Sequence, residues 1–205
     1  MTSDFNIHAY KSIIALNGDI PSGLDLPSHI PIIAADGAAD QLKSMGMAPN
    51  VIIGDLDSIQ FPSGMSQMIH IQNQDQCDFE KALLYCQNHD LSPSLIIGVG
   101  GGELDHTLNN VMLLSRYHCD FLTDELFGKV LTAPQSLSIC STGKISIIPM
   151  PTATISTSGF AWDLAQKTLI FPQDISLSNR LKHPSGKIML IKGRGIVFIH
   201  FDSLH

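Results

Sequence analysis

The chain has 205 residues, enough for one large domain or two modest ones, and its balance of 44% hydrophobic and 15% charged residues excludes an intrinsically disordered protein. The net charge is −7 and the 12 lysines and arginines are scattered singly, which argues against a nucleic-acid-binding protein because such proteins carry a basic face. No apolar stretch is long enough to span a bilayer and no targeting signal is visible, so we expect no membrane association and a cytoplasmic protein.

Up to about Tyr117, short apolar runs alternate with helical patterns. The apolar runs end in turn residues and suit strands that helices cover on both faces. The predicted strands are Ser12–Leu16, Pro31–Ala35, Val51–Ile53, Met68–Gln72 and Leu95–Val99. Apolar residues at three- and four-residue spacing predict the helices Ala38–Met45, Asp78–His89 and Thr107–Tyr117. This alternation predicts an α/β domain with a doubly wound, mainly parallel sheet.

After about Cys119, short runs rich in β-branched residues are separated by turn residues, a spacing typical of an all-β sandwich or barrel. The predicted strands are Ser136–Cys140, Lys144–Ile148, Ala153–Thr157, Thr168–Phe171, Lys187–Ile191 and Ile196–Phe201. We therefore predict two domains, an α/β domain over residues 1–122 and a smaller, sandwich-like β domain over residues 123–205.

Acidic residues gather where the N-terminal strands end. They are Asp36 after the second strand, Asp55 and Asp57 after the third, Asp75 and Asp78 after the fourth, and Asp105 after the fifth. In an open α/β sheet the ligand crevice lies at the carboxyl ends of the strands, so we expect these side chains to converge there.

Asp55 and Asp57 are the sharpest feature of this set. Residues two apart in extended chain point to the same side, and two neighbouring carboxylates repel each other unless a cation lies between them. A Mg²⁺ ion held by carboxylates and phosphate oxygens suits this pattern. The alternative is a solvated turn in which Asp57 or Ser58 caps a helix. The other acidic residues at strand ends favour the metal site.

Asp78 and Lys81 open a predicted helix. Asp78 suits the N-cap of that helix, and a helix N-terminus also attracts phosphate groups. A lysine in the first turn opposes the helix dipole, which makes sense beside a polyphosphate. The alternative for Lys81 is an ordinary exposed lysine.

A glycine-rich segment, Gly98–Thr107, joins the last predicted strand of the first domain to a helix. Glycines let backbone N–H groups approach a phosphate closely, although no G-K-[ST] of a Walker A loop occurs in the chain. Asp105 or Thr107 could instead cap the helix, and His106 could be a packed residue. The residues alone therefore predict a two-domain protein that binds Mg²⁺ and a phosphorylated ligand.

Taken together and in order, these motifs resemble those of the thiamine pyrophosphokinases. The matching segments of the first half are Asp36–Ala39, Gly54–Ile59, Gln74–Leu83 and Gly101–Asn110. In the second half, Thr157–Leu164 and Ser176–Asn179 resemble the family's thiamine-side motifs. The resemblance spans about Asn17 to Phe198. It departs from the family pattern at Leu56, Asn73 and Glu103, where the family has Phe, Asp and Arg.

The resemblance implies a homodimer with active sites at the subunit interface, in which the diphosphate of ATP is transferred to thiamine. It implies Mg²⁺ ligands at Asp55, Asp57 and Asp78, with Asp75 close by. It implies an ATP side lined by Asn17, Asp36, Gln74, Lys81, Asp105, Thr107 and Asn109. It implies that Trp162, Ser178 and Asn179 face thiamine, and that Asp78 or Asp105 accepts the hydroxyl proton.

Three alternatives stay open from the sequence. Trp162, the only tryptophan, is either an aromatic platform for the cationic thiazolium ring or part of the core of the β domain. The reaction could use another small alcohol, such as a hydroxymethylpterin. Alternatively, the substitutions at Asn73 and Glu103 could belong to a nucleotide sensor without catalytic activity.

Overall fold

The computed structural model describes residues 5–56, 66–73 and 75–201, and the predicted site residues Asp57 and Gln74 lie outside these ranges. Its helices are a short 3₁₀ helix at Ile7–Ala9, α1 at Ala38–Ser44, α2 at Asp78–Asn88 and α3 at Leu104–Tyr117. Its strands are β1 (Ser12–Ala15), β2 (Ile32–Ala35), β3 (Val51–Gly54), β4 (Gln67–His70), β5 (Ser94–Ile97), β6 (Asp120–Leu122), β7 (Leu126–Thr132), β8 (Gln135–Ile139), β9 (Ile145–Ser158), β10 (Lys167–Ile170), β11 (Ser176–Asn179) and β12 (Gly186–His200).

The chain divides into two compact units. The α/β unit comprises the described residues within Ile7–Leu113 and Phe121–Asp124, and the β unit those within Met1–Asn6, Leu114–Asp120 and Glu125–His205. Within the described residues, no helix is long and apolar enough to cross a membrane.

A parallel sheet forms the centre of the α/β unit, with strands in the order β4-β3-β2-β1-β5. Every residue of β1, β2, β3 and β5 is buried, which explains why these strands are largely apolar in sequence. The two buried serines, Ser12 and Ser94, are hydrogen-bonded to each other at 2.8 Å. Helix α2 packs against β1, β2 and β3 through buried residues that include Phe79 and Leu83. The chain moves outward from β1 to β4 and then returns to β5 on the other side of β1. The strand order therefore reverses between β1 and β5, where such sheets bind ligands.

The β unit is built on two long antiparallel strands, β9 and β12. Strand β12 also pairs with β7 and β8, and β9 also pairs with β10 and β11. One face of the long strands is buried, as at Ile155 and Ile188, whereas Met189 and Ile191 of β12 are exposed. The predicted fold class, a mainly parallel α/β domain followed by a β-rich domain, is confirmed.

Two predicted turns, between residues 148 and 153 and between residues 191 and 196, were wrong. Each lies inside one long strand, β9 or β12. Gly195 pairs with Pro149 and Gly193 pairs with Ala153, so three residues of β9 face one residue of β12. This bulge takes Pro151, which has no N–H to donate, out of the ladder between the two strands. Gly193 adopts φ = +82°, a conformation that glycine accepts readily. Proline and glycine therefore bend β9 and β12 here without ending them.

Candidate metal and nucleotide site

Three aspartates meet at the carboxyl edge of the parallel sheet. Carboxylate oxygens of Asp36, Asp55 and Asp78 all lie within 4.8 Å of one another. Asp36 follows β2, Asp55 follows β3, and Asp78 is the first residue of α2. The expected convergence of strand-end acids is thus observed for Asp36, Asp55 and Asp78. The family resemblance implied an ATP-side role for Asp36, whereas its carboxylate lies with the two implied metal ligands. Carboxylate oxygens are the ligands that Mg²⁺ prefers, so this set fits such an ion.

Asp36 is fixed by the backbone around it. Its φ of +41° is left-handed, and its N–H donates to the carbonyl of Ile53 on the neighbouring strand at 2.8 Å. The residue is only 6% exposed. A Cβ atom on Gly54 would lie 2.9 Å from the Cβ of Asp36, so the absence of a side chain on Gly54 leaves room for the Asp36 side chain. The ends of β2 and β3 thereby hold this carboxylate in a defined place.

Asp78 is held by Lys81 from the same helix. The ammonium group of Lys81 donates to Oδ1 of Asp78 at 2.8 Å, and Lys81 is only 4% exposed. The alternative of an ordinary exposed lysine was therefore wrong. The N-cap of α2 is Cys77, in extended conformation, so Asp78 is not the cap. Lys81 faces a member of the carboxylate cluster and offsets part of its negative charge.

A cavity of about 470 Å³ opens where the strand order reverses. Its walls are the segments after β1, β2 and β5 and the first turns of α2 and α3. The lining residues are Leu16, Asn17, Gly18, Ala35, Asp36, Gly37, Cys77, Asp78, Phe79, Gly98, Val99, Gly100, Gly102, Asp105, His106, Thr107, Asn109 and Asn110. A strand-to-helix glycine turn beside a helix N-terminus is suited to phosphate binding because N–H groups can face an anion there.

The segments after β1 and β5 approach each other through glycine. Gly98 has φ = +72°, and a Cβ on it would collide with the carbonyl oxygen of Leu16. A Cβ on Gly18 would collide with the carbonyl oxygens of Gly98 and Gly100. The N–H of Asp19 donates to the carbonyl of Gly100 at 2.6 Å. The glycines therefore close this side of the cavity by direct backbone contact.

Most residues predicted for the ATP side line this cavity, namely Asn17, Asp36, Asp105, Thr107 and Asn109. Among the residues that the structure describes, Asp55, Asp75 and Lys81 are not part of the lining. Asp75 is exposed, and its N–H donates to Oδ1 of Asn73 at 2.8 Å. Asp57 and Gln74 remain predictions.

Helix α3 starts three residues earlier than predicted, at Leu104. Asp105 and Thr107 therefore lie in its first turn, where the hydroxyl of Thr107 donates to the carbonyl of Glu103 at 3.2 Å. His106 is exposed, with Nε2 at 3.7 Å from a carboxylate oxygen of Glu103, so the alternative of a packed histidine was wrong. The N-terminus of α3, the positive end of its helix dipole, therefore lies at the cavity.

Two lining residues that the sequence did not single out are Cys77 and Asn110. The amide of Asn110 donates to the carbonyl of Val99 at 3.0 Å, tying α3 to the glycine turn. The amide of Asn109 donates to Sγ of Cys77 at 3.6 Å, linking the first turn of α2 to α3. Nothing in the local sequence signals either contact, since each joins segments that are distant along the chain.

The residues predicted to face thiamine lie in the β unit and differ in exposure. Trp162 is 70% exposed, so the alternative of a core tryptophan was wrong. Ser178 is exposed with φ = +55°, whereas Asn179 is only 6% exposed. Trp162 is therefore accessible to a ligand from solvent, whereas Asn179 is largely closed off.

Known proteins resemble both parts of the chain. Residues 26–123 match the model of the thiamin pyrophosphokinase catalytic domain, and residues 135–193 match that of the thiamin pyrophosphokinase vitamin B1 binding domain. Thiamine pyrophosphokinase 1 of Arabidopsis thaliana is 29% identical, over 65% of this chain and 59% of the plant protein's length. Thiamin pyrophosphokinase 1 of Caenorhabditis elegans is 25% identical, over 81% of this chain and 76% of that protein.

Solved structures share the fold. The thiamine pyrophosphokinase of Bacillus subtilis matches with a TM-score of 0.81 and 22% identity, over 94% of this chain and all of that chain. The thiamin pyrophosphokinase of Candida albicans matches with a TM-score of 0.74 and 18% identity, over 98% of this chain and 96% of that chain. At these identities the likeness establishes the fold alone.

Proposed function

The chain belongs to the thiamin pyrophosphokinase family, and we propose that it transfers the diphosphate group of ATP to the hydroxyl of thiamine, giving thiamine diphosphate and AMP. The observation that carries this proposal is the meeting of Asp36, Asp55 and Asp78 at the edge of a sheet, beside a cavity walled by a glycine turn and two helix N-termini. Diphosphate transfer depends on positioning and on charge neutralisation more than on a covalent enzyme intermediate. Both requirements fit a carboxylate cluster beside such a cavity.

Asp36, Asp55 and Asp78 would hold Mg²⁺, together with Asp57 from outside the described residues. The ion, when bound, neutralises charge on the phosphate oxygens. The glycine turn and the first turns of α2 and α3 would bind the phosphates by backbone N–H groups. Asn17, Thr107 and Asn109 would position the nucleotide from the cavity wall.

We assign the proton-accepting role to Asp105 in preference to Asp78. An oxygen of Asp78 already accepts a hydrogen bond from Lys81, and its carboxylate belongs to the metal cluster. Asp105 lines the same cavity, is exposed, and lies outside that cluster. Its Oδ1 accepts a hydrogen bond from the backbone N–H of His106 at 2.9 Å. A carboxylate in that position can take a proton from a hydroxyl within hydrogen-bond reach.

Trp162 is the residue that would bind the thiazolium ring of thiamine. The thiazolium ring is cationic, and a cation over a tryptophan face gains about 0.5–2 kcal/mol. Trp162 presents that face to solvent. Because this attraction acts on a cation, an accessible tryptophan favours thiamine over an uncharged alcohol.

We also propose a homodimer, because helix α3 carries an exposed apolar stripe. Leu104, Leu108 and Met112 are spaced four residues apart and are 74%, 54% and 52% exposed. Residues four apart lie on one face of a helix, and a contiguous apolar face of this kind is typical of an interaction surface. A second copy of the chain is the occupant that the family resemblance implies.

The test is incubation of the protein with ATP, Mg²⁺ and thiamine, with separation of the products. We expect thiamine diphosphate and AMP in equal amounts, and neither product without Mg²⁺. A parallel incubation with 6-hydroxymethylpterin serves as the control for substrate class. Release of AMP with the pterin alone would replace thiamine by that alcohol, and tight ATP binding without any transfer would indicate a nucleotide sensor.

A further inference from the structure

We propose that Asn179 is a positioning residue that holds the backbone of Trp162, and thereby fixes the indole ring as a platform for a planar cationic ligand. The platform role rests on the proposed function, since thiamine is such a ligand. The family resemblance placed Asn179 against thiamine itself. Its burial and its hydrogen bonds point instead to an action through Trp162.

The side-chain amide of Asn179 binds the backbone of Trp162, which lies in the loop of residues 159–164 (the Trp162 loop). Its Oδ1 accepts from the N–H of Trp162 at 3.3 Å, and its Nδ2 donates to the carbonyl of Trp162 at 2.8 Å. Oδ1 also accepts from the N–H of Arg180 at 2.9 Å. Both backbone polar groups of Trp162 are thus bound by one buried side chain, while Trp162 itself remains 70% exposed.

A bulge in β11 turns Asn179 towards this loop. The register between β11 and β9 shifts between Ser176 and Asn179, and Ser178 in between has φ = +55°. The N–H of Ser178 donates to the hydroxyl of Ser146 at 3.0 Å, which anchors the irregular position. A bulge of this kind re-aims the side chain that follows it. A left-handed serine is tolerated here because these hydrogen bonds fix the backbone around it.

The rest of the Trp162 loop is also fixed by hydrogen bonds. The carboxylate of Asp163 accepts from the N–H of Phe160 at 3.1 Å and from the N–H of Gly159 at 3.3 Å. The N–H of Ala161 donates to the carbonyl of Arg180 at 2.9 Å. Trp162 is therefore an exposed aromatic residue on a rigid loop. Fixing such a side chain before a ligand arrives removes an ordering cost from binding.

Asn179 is poorly placed to act as a direct ligand. The residue is 6% exposed, and its oxygen already accepts two hydrogen bonds. A substrate group that donated to this oxygen would compete with the hydrogen bonds that hold the loop. Loss of Asn179 should therefore act on thiamine binding only while Trp162 is present.

The first test uses tryptophan fluorescence, which reports on one site because Trp162 is the only tryptophan. In the free protein, Asn179→Ala should lower the fluorescence anisotropy and raise quenching by acrylamide. Asn179→Asp keeps the two accepted hydrogen bonds and loses the donated one, so it should lie between wild type and Asn179→Ala. Ser141→Ala is the matched control, because it removes side-chain hydrogen bonds of the β unit, with Gly143 and His200, that involve neither Trp162 nor Asn179. Wild-type anisotropy in both Asn179 variants would overturn the proposal.

The second test is a double-mutant cycle on the KM for thiamine. Trp162→Ala and Asn179→Ala should each raise this KM about 2- to 30-fold, the range of a cation–π contact, with the KM for ATP unchanged. In the Trp162→Ala background, Asn179→Ala should have little further effect. Independent, multiplying effects would assign Asn179 to thiamine directly and overturn the proposal. Where Asn179→Ala fails to fold, Asn179→Asp enters the same cycle.

The two hypotheses fail separately. A wild-type protein that forms no thiamine diphosphate overturns the proposed function and with it the platform role. The anisotropy comparison in the free protein still decides whether Asn179 holds Trp162.

Discussion

At the scale of single residues, Lys81 is a buried cation whose hydrogen-bonded partner, Asp78, belongs to a cluster of carboxylates. With no metal bound, Asp36, Asp55 and Asp78 repel one another, and the ammonium group of Lys81 offsets part of that repulsion. When a divalent cation is bound, it takes over most of this compensation. Lys81 should thus matter more to the metal-free protein than to the loaded one.

We predict that Lys81→Met lowers the free energy of unfolding of the metal-free protein by about 1–3 kcal/mol, the cost of leaving a part-buried carboxylate without its hydrogen-bonded partner. The rise in melting temperature on adding Mg²⁺ should be larger in this variant than in wild type. Thermal unfolding with and without Mg²⁺ measures both effects. Lys11→Met, at an exposed lysine of the same unit, is the control. A raised KM for ATP with wild-type melting behaviour would instead place Lys81 on the phosphates.

The acidic residues at strand ends could be predicted from the sequence, since buried apolar strands that end in aspartate are a local pattern. The sequence could not predict which of these acids form the carboxylate cluster. Asp36 joins Asp55 because β2 and β3 are paired in parallel and Gly54 leaves room for its side chain, and both facts depend on strand register. The sequence also could not show that Trp162 is exposed, because a tryptophan without known tertiary contacts is expected in the core.

Among the elements, the ends of β2 and β3 support the carboxylate cluster of Asp36, Asp55 and Asp78. A methyl group at position 54 would lie 2.9 Å from Cβ and 3.3 Å from Oδ1 of Asp36, closer than the packing allows. The carboxylate of Asp36 or the end of β3 would have to move. The geometry of the cluster is therefore determined by backbone proximity as well as by its acidic residues.

We predict that Gly54→Ala reduces the stabilisation by Mg²⁺ and lowers the free energy of unfolding by about 1–3 kcal/mol. The control is Gly102→Ala, where the nearest atom to an added Cβ is 3.7 Å away, so this variant should keep the wild-type melting temperature. Thermal unfolding across a Mg²⁺ titration compares the two. An undiminished Mg²⁺ effect in Gly54→Ala would show that the support is not needed.

The elements themselves were predicted unevenly. The buried strands of the α/β unit have a clear local pattern, and their positions agree with the sequence to within about two residues. Strands β9 and β12 were divided in two because Pro149, Pro151, Gly193 and Gly195 are typical turn residues. In the structure a bulge absorbs them, and pairing on both sides of the bulge continues each strand. Tertiary pairing of this kind leaves no signal in a single short segment.

At the scale of the whole molecule, the apolar stripe of α3 makes the proposed dimer testable. We predict that wild type has twice the mass of one chain in light scattering coupled to gel filtration. Leu108→Asp should shift the protein towards the monomer, because it places a charge in the middle of the stripe. Met45→Asp, at an exposed methionine after α1, should leave the mass unchanged. A monomeric wild type, or a dimeric Leu108→Asp, would contradict this interface.

The change of pattern near Cys119 predicted two domains, and two family models match the chain, over residues 26–123 and 135–193. The order of strands in the parallel sheet could not be obtained in the same way. The cavity depends on that order, because it lies where β1 and β5 run side by side. The proposed nucleotide-binding cavity thus depends on the order of the strands, whereas the motifs alone predicted only which residue types would line it.

Calorimetric titration of Mg²⁺ measures whether Asp36, Asp55 and Asp78 form one divalent-cation site. The titration is made with α,β-methylene-ATP present, since its carbon bridge cannot be cleaved by diphosphate transfer. We predict that Asp36→Asn, Asp55→Asn and Asp78→Asn each weaken Mg²⁺ binding at least about 10-fold, roughly 1.4 kcal/mol. The control, Asp90→Asn, should bind as wild type does, since asparagine accepts the left-handed conformation found there. Wild-type affinity in all three cluster variants would contradict the account.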